Sequence, residues 1–360
     1  MDDLLERWAQ LWSAGMAEVW RSYSAARDTI RATGRALVAQ TPAQTVYAEG
    51  CLRVLQYEPE TPTQHPIPVL CVPSLINQYY VMDLAPERSL VRALLRRGLN
   101  VFMLDWGTAT AADRSRSLDE YITGRLGRSV EAVRRAAGVD AIALLGYCIG
   151  GMMSAVYTVL RPDEVAALVN LAGPINYHDG GIYSTWTRPE YLDVDLLVDT
   201  LGNIPAELLN WTFHMVRPTD ELLRALDYWE RRDDETFVRH FAAMQLWTHD
   251  PTPFPGEAFR KYIKDLYQRN ALMDGTFTID GQRIDLGCIT APTLTIAARR
   301  DHIAPWESVA VLHERISSAD KQLIVLEGGH IGMVVGSDAS EKLWPQLGAW
   351  LEQRAAIKQP

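Results

Sequence analysis

A cysteine between an apolar run and a helical pattern is the residue in this sequence best suited to covalent chemistry. Residues 141 to 155 read AIALLGYCIGGMMSA, so Gly-Tyr-Cys-Ile-Gly separates the two patterns. Glycines at positions 146 and 150 allow a strand to turn sharply into a helix where larger side chains would collide with neighbouring backbone. The pattern predicts a nucleophile elbow with Cys148 at a helix N-terminus, which favours the thiolate.

An aspartate and a histidine follow two later apolar runs in the order that a triad on such an elbow requires. Asp301 follows TLTIAA within RRDHIAP, and His330 follows QLIVLEG within EGGHIG. Both runs predict strands, so both side chains should lie at strand ends. We predict Cys148 as the nucleophile, His330 as the base and Asp301 as the acid that orients it. The alternative is an unrelated surface aspartate and loop histidine.

Backbone N–H groups near the cysteine are candidates for an oxyanion hole. Ile149 follows the nucleophile and begins the helix, so its N–H should point to the developing oxyanion. The second donor should come from the loop after PVLCVP, where Leu75 or Ile76 is the candidate and Ile76 is our assignment. His302, in the loop of the acid, is predicted to contact substrate, with a solvated loop position as the alternative.

The other three cysteines lack any comparable context. Cys51, Cys71 and Cys288 are widely scattered, with no CxxC pair and no Cys/His cluster at zinc-ligand spacing. An inert cysteine is the common case in an apolar stretch. We therefore predict neither a structural disulfide nor a metal site.

Six short apolar runs predict the strands that must position these residues. They are PVLCVP, NVFMLDW, AIALLGY, AALVNLAG, TLTIAA and QLIVLEG. Helical segments such as ERSLVRALLRRG and SVEAVRRAAG lie between the early runs, and each ends at a glycine suited to a C-cap. The alternation predicts an α/β protein with a mostly parallel central sheet and helices on both faces. Together with the elbow and the order of the triad, it indicates the α/β-hydrolase fold.

Two further segments flank and interrupt the predicted catalytic domain, which comprises residues 41–174 and 286–360. Residues 175–285 are mostly helical in pattern and predict a cap, or lid, inserted over the carboxyl ends of the strands. Residues 1–40 predict an amphipathic helix whose apolar stripe includes three tryptophans, Trp8, Trp12 and Trp20. That stripe either packs on the protein itself or docks on a partner subunit or an apolar surface.

Charge and composition exclude some classes of function. Lys and Arg are outnumbered by Asp and Glu, for a formal net charge of −10, whereas nucleic-acid binding needs a basic surface. The first residues, MDDLLERWAQLW, contain early acids and no long apolar run, so we expect neither a signal peptide nor a membrane span. The expected location is the cytoplasm.

The motifs resemble those of the polyhydroxyalkanoate synthases, which polymerise 3-hydroxyacyl-CoA thioesters into polyester on an α/β-hydrolase fold. The matching segments, within about residues 45 to 355, are GYCIGG, PSLINQYYVMDL, FMLDWG, GNIPAELLNWTF, RRDHIAP and EGGHIG. The resemblance implies that Cys148 is acylated, Asp301 is the catalytic aspartate and His330 is the general base. It also implies a short-chain substrate such as 3-hydroxybutyryl-CoA, whose CoA is part of the substrate rather than a cofactor.

The length of the chain is similar to that of one subclass of these synthases. Sheet strands that begin near residue 46 look like those of the class III type, or the related class IV, which works with a second, non-homologous subunit. Many class III enzymes have glutamine after the cysteine, where this sequence has Ile149. The resemblance implies a second subunit, a homodimer and contact with the polyester granule surface. The alternatives are an intracellular polyester depolymerase or thioesterase with the same triad, and a catalytically silent binding module.

Overall fold

A central sheet organises the part of the chain that the computed structural model describes, which is residues 2–179 and 181–355 without the side chains of 2–12 and 22–28. The strands in chain order are β1 (Ala43–Glu49), β2 (Leu52–Tyr57), β3 (Val69–Val72), β4 (Asp83–Ala85), β5 (Arg88–Ser89), β6 (Val101–Asp105), β7 (Ile142–Tyr147), β8 (Val165–Leu171), β9 (Thr278–Ile279), β10 (Gln282–Arg283), β11 (Thr293–Ala298) and β12 (Lys321–Leu326). Two short hairpins, β4–β5 and β9–β10, lie outside the sheet.

Helices connect these strands. They are α1 (Asp2–Leu37), α2 (Leu90–Leu95), α3 (Gly127–Ala137), α4 (Ile149–Leu160), α5 (Ile182–Trp186), α6 (Val194–Leu201), α7 (Ala206–Val216), α8 (Asp220–Arg231), α9 (Glu235–Thr248), α10 (Gly256–Lys261), α11 (Trp306–Arg315), α12 (Gly332–Val335) and α13 (Trp344–Ala355). Short 3-10 turns lie at Tyr79–Met82, Ala111–Asp113, Pro162–Glu164 and Leu286–Cys288, and π-helical turns at Glu120–Leu126, Tyr262–Gln268 and Ala339–Leu343.

The eight strands of the sheet are arranged in the order β1-β2-β6-β3-β7-β8-β11-β12. The β1–β2 and β2–β6 pairs are antiparallel, and every other pair is parallel. Each of the six predicted apolar runs overlaps one of these strands, with ends that agree to within two residues. The prediction of a mostly parallel central sheet is confirmed.

Two apolar layers cover the faces of the sheet. One contains residues of α3 and α4, including Val133 and Met152, and the other contains residues of α2 and α13, including Leu94 and Leu351. Because both faces are covered, strand β7 is buried along its whole length, which explains why it reads as a continuous apolar run. Its carboxyl end can therefore hold one side chain firmly above a packed core.

The chain between β8 and β11 lies over the carboxyl ends of the strands. In the described residues it forms helices α5 to α10 and the β9–β10 hairpin. Side chains from α5, α6, α7 and α10 line a cavity together with Cys148, which follows β7. This insertion therefore encloses the region above the sheet where the predicted catalytic residues lie.

The first helix packs on the insertion through its second half. Ile30 is buried in a cluster with Ala225 of α8 and Phe241 of α9. Gly34 lies so close to α9 that a Cβ atom there would be 3.0 Å from Leu246 Cβ. Trp20 remains 48% exposed, and the side chains of Trp8 and Trp12 lie outside the described residues. This half of α1 packs on the protein itself, and the two alternatives for the stripe of Trp8, Trp12 and Trp20 stay predictions.

In the described part of the chain, no helix combines the length and the apolar character needed to cross a bilayer.

Candidate active site

Cys148 lies at a strained turn between β7 and α4. Its backbone has φ of +58° and ψ of −126°, a conformation that L-residues rarely adopt and that costs about 1–3 kcal/mol. Its N–H donates to the Leu171 carbonyl across a distance of 2.9 Å. A Cβ atom on Gly150 would lie 2.6 Å from the Pro73 oxygen, so the turn packs tightly against the end of β3. The fold thus holds the thiol at the tip of the predicted elbow.

Asp301 and His330 meet because their strands are parallel neighbours. Ala298 pairs with Leu326 at the carboxyl ends of β11 and β12, so the loops that follow begin at the same level. His330 Nδ1 lies 2.7 Å from Asp301 Oδ2, and both side chains are almost completely buried. A carboxylate only accepts hydrogen bonds, so Nδ1 carries the proton and donates it. Nε2 is then the nitrogen available to the cysteine.

The backbone of its own loop fixes the Asp301 carboxylate. Oδ1 accepts hydrogen bonds from the N–H groups of Ile303 and Ala304, each at 2.8 Å. The two oxygens of the carboxylate are thus used separately, one to hold its position and one to orient His330. This arrangement supports a single orientation of the imidazole.

Electrostatics favour a charged imidazole. Burial by itself lowers the pKa of His330, but the charge of Asp301, the charge of Cys148 and hydrogen bonds to both outweigh burial. The pKa of His330 therefore lies well above its ordinary value. The carboxylate of Asp301 thus stabilises the proton-bearing form of the imidazole against the cost of burial.

Tyr147 also contacts the histidine, a contact that sequence reasoning did not identify. Its ring lies 5.3 Å from the imidazole at an interplanar angle of 33°, and its hydroxyl donates to the His330 carbonyl at 3.4 Å. Burial, with the charges of Cys148 and Asp301, raises the pKa of Tyr147 well above its ordinary value. Tyr147 therefore remains a neutral packing partner that limits rotation of the imidazole. The Gly-Tyr-Cys motif includes Tyr147, but the sequence does not show that its side chain lies against His330.

The two predicted oxyanion residues lie at the same cavity as the cysteine. Ile76 and Ile149 both line it with Cys148. The Ile149 N–H is the first of α4 and has no acceptor within that helix. The loop of Ile76 is tied to the insertion, because the Ile76 carbonyl accepts a hydrogen bond from the Thr252 N–H at 3.1 Å. Leu75, the other candidate, belongs to the same buried core cluster as Ile76 but does not line the cavity.

The cavity above Cys148 has a volume of about 400 Å³ and is lined mainly by apolar and aromatic side chains. Most of them come from the insertion, among them Trp186, Leu197, Leu209, Phe213 and Phe259. Such a lining suits an acyl chain and excludes bulk water.

A second cavity, of about 360 Å³, opens on the histidine side of the site. It contains His330 and His302 and is lined by several charged side chains. Phe213 and Ile303 line both cavities. His302 therefore lies on the side of His330 and does not line the cavity that contains Cys148.

The remaining cysteines are unpaired and have other surroundings. Cys71 is fully buried, and burial raises the pKa of its thiol to about 12. Cys51 donates to the Trp106 carbonyl at 3.4 Å, and Cys288 is exposed. Among the described residues, no group of three or more His, Cys, Asp or Glu side chains is arranged to hold a metal ion.

The fold and the order of the site residues define an α/β hydrolase. Residues 67–337 match the family model described as the alpha/beta hydrolase fold. A hydrolase of known structure from Pseudomonas aeruginosa is 17% identical, with a TM-score of 0.53 over 87% of this chain and 98% of that one. The predicted α/β-hydrolase fold is confirmed.

Sequence comparison then gives the family. A poly(3-hydroxyalkanoate) polymerase subunit PhaC from Allochromatium vinosum is 39% identical over 87% of this chain and 89% of that protein. Its counterpart from Haloferax mediterranei is 35% identical over 94% of this chain and 69% of that protein. Residues 21–94 match the model of the poly-beta-hydroxybutyrate polymerase (PhaC) N-terminus. The chain belongs to the family of poly(3-hydroxyalkanoate) polymerases and is an enzyme of the acyltransferase class.

Proposed function

We propose that the protein polymerises 3-hydroxyacyl-CoA, with 3-hydroxybutyryl-CoA as the substrate, through an acyl-thioester on Cys148. The main support for the proposal is the Asp301–His330 pair, which is hydrogen-bonded at 2.7 Å and lies beside Cys148. Cys148 in turn lines an apolar cavity. The similarity to poly(3-hydroxyalkanoate) polymerases supports the choice of substrate class.

In the loading step, Cys148 displaces CoA from the substrate. His330 takes the proton of the thiol, and the thiolate attacks the carbonyl carbon of the thioester. The Ile149 and Ile76 N–H groups hold the oxyanion of the tetrahedral intermediate. The intermediate collapses with cleavage of the bond to CoA sulfur, and His330 returns its proton to the departing thiolate. The acyl group is then a thioester of Cys148.

A thiol suits this order of steps better than a hydroxyl would. Transfer between two thioesters is roughly isoenergetic, so the loaded enzyme keeps the reactivity of the substrate. Serine would form an oxyester, so the next hydroxyl would have to replace one ester bond by another, with little gain in free energy. With cysteine, the favourable free-energy change from thioester to ester occurs in the elongation step.

In the elongation step, the 3-hydroxyl of another acyl unit attacks the Cys148 thioester. His330 removes the hydroxyl proton as the new C–O bond forms, and Asp301 stabilises the resulting imidazolium. The C–S bond breaks, and the proton on His330 neutralises the Cys148 thiolate. The polyester chain has grown by one unit, and the cysteine is free to load again.

We assign residues 175–285 the role of a cap on the catalytic domain of residues 41–174 and 286–360. Water would end a chain by hydrolysing the thioester, and the apolar side chains that the insertion places above Cys148 oppose this. The cap must open to admit a CoA thioester. No cofactor is needed for either step.

The proposal includes partners outside the active site. Large apolar side chains are exposed on the cap, including Trp211 at 59% and Leu223 at 53%, and Trp20 of α1 is half exposed. Such groups suit contact with a second, non-homologous subunit, with a second copy of the chain, or with the surface of a polyester granule in the cytoplasm. His302, near His330, would contact substrate.

The main alternative is hydrolysis, as in an intracellular polyester depolymerase or a thioesterase. Both reactions begin by acylating Cys148, and they differ in whether a hydroxyl or water accepts the acyl group. Purified protein should be incubated with 3-hydroxybutyryl-CoA while CoA release, free 3-hydroxybutyrate and insoluble polyester are followed together, with and without a co-expressed second subunit. CoA release matched by polyester supports the polymerase, and CoA release matched by free acid overturns it.

Replacement of the nucleophile tests the residue assignment in the same assay. Cys148→Ala should reduce CoA release at least about a thousandfold and leave the melting temperature within about 2 °C, because one sulfur is lost at the tip of a turn. Cys288→Ala, at an exposed cysteine, should retain wild-type activity. Substantial CoA release by Cys148→Ala would exclude this cysteine as the nucleophile.

A further inference from the structure

Two tyrosines form a polar part of the wall of the mainly apolar cavity that contains Cys148. Tyr262 and Tyr267 belong to the π-helical turn Tyr262–Gln268, and both line this cavity. Hydrogen bonds in a π-helix join residues five apart, which brings the two side chains to one face of the turn. Their ring centroids are 5.6 Å apart. Single π-helical turns of this kind are frequent at functional sites.

A third tyrosine holds this pair in place. Tyr177 is 1% exposed and packs against both rings, with centroid distances of 5.7 Å to Tyr262 and 4.7 Å to Tyr267. Its hydroxyl is hydrogen-bonded to the Tyr262 hydroxyl at 3.4 Å, and a further hydrogen bond joins Tyr262 to Tyr267. The Tyr177 N–H donates to Asn270 Oδ1 at 3.0 Å. The three residues, which we call the tyrosine cluster, thus form a row of hydroxyl groups on a fixed framework.

The other hydroxyl groups of the cavity wall are used by the protein or enclosed by it. The hydroxyls of Thr187 and Thr212 donate to backbone carbonyls of the preceding turn, each at 2.7 Å. The Tyr183 ring lines the cavity, but its hydroxyl is enclosed by protein atoms. Among the described residues of the lining, Tyr262 and Tyr267 are therefore the ones whose hydroxyls remain for a ligand.

The surroundings keep both of these hydroxyls neutral. Burial raises the pKa of Tyr262 and of Tyr267 well above the ordinary value, and the charges of neighbouring tyrosines and of Cys148 raise it further. Each hydroxyl therefore keeps its proton and can both donate and accept a hydrogen bond. A hydroxyl without a partner in an apolar cavity costs free energy, so packing alone would be served better by phenylalanine, as at Phe254 and Phe259.

We propose that the Tyr267 hydroxyl, supported by Tyr262, binds the oxygen on C3 of the acyl unit carried by Cys148, and so selects 3-hydroxyacyl over plain acyl thioesters. This inference rests on the proposed function. Four bonds separate the C3 oxygen from the cysteine sulfur, so this oxygen lies inside the apolar cavity that Cys148 lines. A polar group buried there needs a hydrogen-bond partner from the protein. Tyr267 provides it, since the Tyr262 hydroxyl is already shared with Tyr177.

A row of hydroxyls suits both chemical forms of this oxygen. In the first acyl unit the C3 oxygen is a hydroxyl, whereas in a growing chain it is an ester oxygen, which can only accept. Hydroxyl protons can rotate along Tyr177, Tyr262 and Tyr267, so the end of the row can accept from a hydroxyl or donate to an ester. The tyrosine cluster can therefore hold the acyl unit in one position during both loading and elongation.

Acylation by two substrates tests this assignment separately from polymer formation. 3-Hydroxybutyryl-CoA and butyryl-CoA carry the same leaving group and differ only at C3, and rapid-quench mass spectrometry of the intact protein gives the rate constant for acylation by each. Tyr267→Phe should lower the ratio of the 3-hydroxybutyryl rate constant to the butyryl rate constant about tenfold, with the butyryl value nearly unchanged. Tyr262→Phe should lower this ratio by a smaller factor, because it acts through Tyr267.

Tyr57→Phe is the matched control, because it removes the hydroxyl of another buried tyrosine, on β2, that lines neither cavity. It should leave the ratio unchanged. An equal loss of both rate constants in Tyr267→Phe would show that the residue serves the fold or the chemistry in general, and an unchanged ratio would show that its hydroxyl does not contact C3. Either result overturns the proposal. Acylation of the wild-type protein by neither thioester would instead contradict the proposed function.

Binding to a protein that cannot be acylated makes the test independent of turnover. In Cys148→Ala, isothermal titration calorimetry should show tighter binding of 3-hydroxybutyryl-CoA than of butyryl-CoA. Adding Tyr267→Phe should reduce the ratio of the two dissociation constants about tenfold and so remove most of the preference. Equal affinities in Cys148→Ala, or a preference that Tyr267→Phe leaves intact, would overturn the proposal.

Discussion

The Asp301 carboxylate has different importance in the two proposed half-reactions. Loading requires removal of a proton from a thiol, which is a much stronger acid than an alcohol and therefore needs less help from Asp301. Elongation requires a proton from an aliphatic hydroxyl, a much weaker acid, so the orientation and charge stabilisation of His330 matter more. The same hydrogen bond at 2.7 Å is therefore helpful in one step and necessary in the other.

Asp301→Ala should separate the two steps. The variant should still become acylated at Cys148, but elongation should slow by about 10³–10⁴-fold, so that short covalent acyl chains accumulate and little polymer forms. Rapid-quench mass spectrometry of the intact protein measures both species. A variant that never becomes acylated would show that the aspartate serves loading instead.

Asp301→Asn tests the electrostatic origin of the His330 protonation state. Removing the carboxylate charge should lower the pKa of His330, because that charge opposes the effect of burial. In the wild-type protein the raised pKa stabilises the fold fully below the ordinary value of 6.5, and this stabilisation is lost as pH rises through the folded-state pKa. An NMR titration should show a lower pKa for His330 in the variant than in the wild-type protein. The free energy of unfolding, measured from pH 6 upward, should fall less with rising pH in the variant. An unchanged pKa would contradict this account.

The turn between β7 and α4 can form only because Gly150, close to Cys148 in the chain, has no side chain. Cys148 adopts a strained backbone conformation, and Gly150 lets the start of α4 approach the end of β3 at Pro73. The loop after β3 also contains Ile76, a proposed oxyanion donor. Displacement of α4 would therefore move the nucleophile and the oxyanion hole together.

Gly150→Ala should disturb both stability and catalysis. The added methyl group would lie within 2.6 Å of the Pro73 oxygen and closer still to the Val72 oxygen, so unfolding free energy should fall by about 1–3 kcal/mol. Chemical denaturation and CoA release measure the two effects. Gly15→Ala, in open space on α1, should instead be neutral or stabilise by up to about 1 kcal/mol. Equal behaviour of the two variants would contradict close packing at the elbow.

The first helix has a packed end and an exposed residue, so its two possible roles can be tested separately. Gly34→Val should push α1 away from Leu246 and lower the melting temperature, because Gly34 lies in close contact with α9. Trp20→Lys, at a half-exposed side chain, should change the melting temperature little yet reduce polymer yield in cells that co-produce a second subunit. A large loss of stability in Trp20→Lys would indicate that this residue serves the fold.

At the scale of the whole molecule, two unlike cavities converge on one catalytic centre. The apolar cavity contains Cys148, the second cavity contains His330, and Phe213 and Ile303 lie between them. In the proposed mechanism, the apolar cavity keeps the acyl chain away from water, while the lining on the histidine side is polar and charged. Retention of the proposed thioester long enough for elongation would depend on this separation.

Phe213→Ala should weaken the separation between the cavities. Loss of the ring would open the apolar cavity toward the solvated one, so water should compete with the 3-hydroxyl for the Cys148 thioester. We expect free 3-hydroxybutyrate to rise several-fold relative to polymer, and the polymer to be shorter. Chromatography of the acid and size analysis of the polymer check this. Tyr191→Ala, at a cap residue that is 71% exposed and lines neither cavity, is the control, and an unchanged ratio in Phe213→Ala would refute a barrier role.

The sequence by itself determined the elements and the candidate triad, because both leave local patterns. A fully covered parallel strand must be apolar along its length, and an elbow must have small residues on both sides of its nucleophile, so β7, Cys148, Asp301 and His330 could be identified without a structure. The family comparison agrees with that assignment of fold and enzyme class. The catalytic roles remain predictions.

Only the tertiary structure decided which side chains surround those residues. Tyr147 contacts His330 across 183 positions of sequence, and Arg224 shares a cavity with Arg300 although one belongs to the insertion and the other to the strand-end loop. Likewise, Thr252 binds the loop of Ile76 through backbone atoms that no motif reveals. Such contacts depend on how distant segments pack and on the direction of each side chain. The order of residue types along the chain gives no information about either.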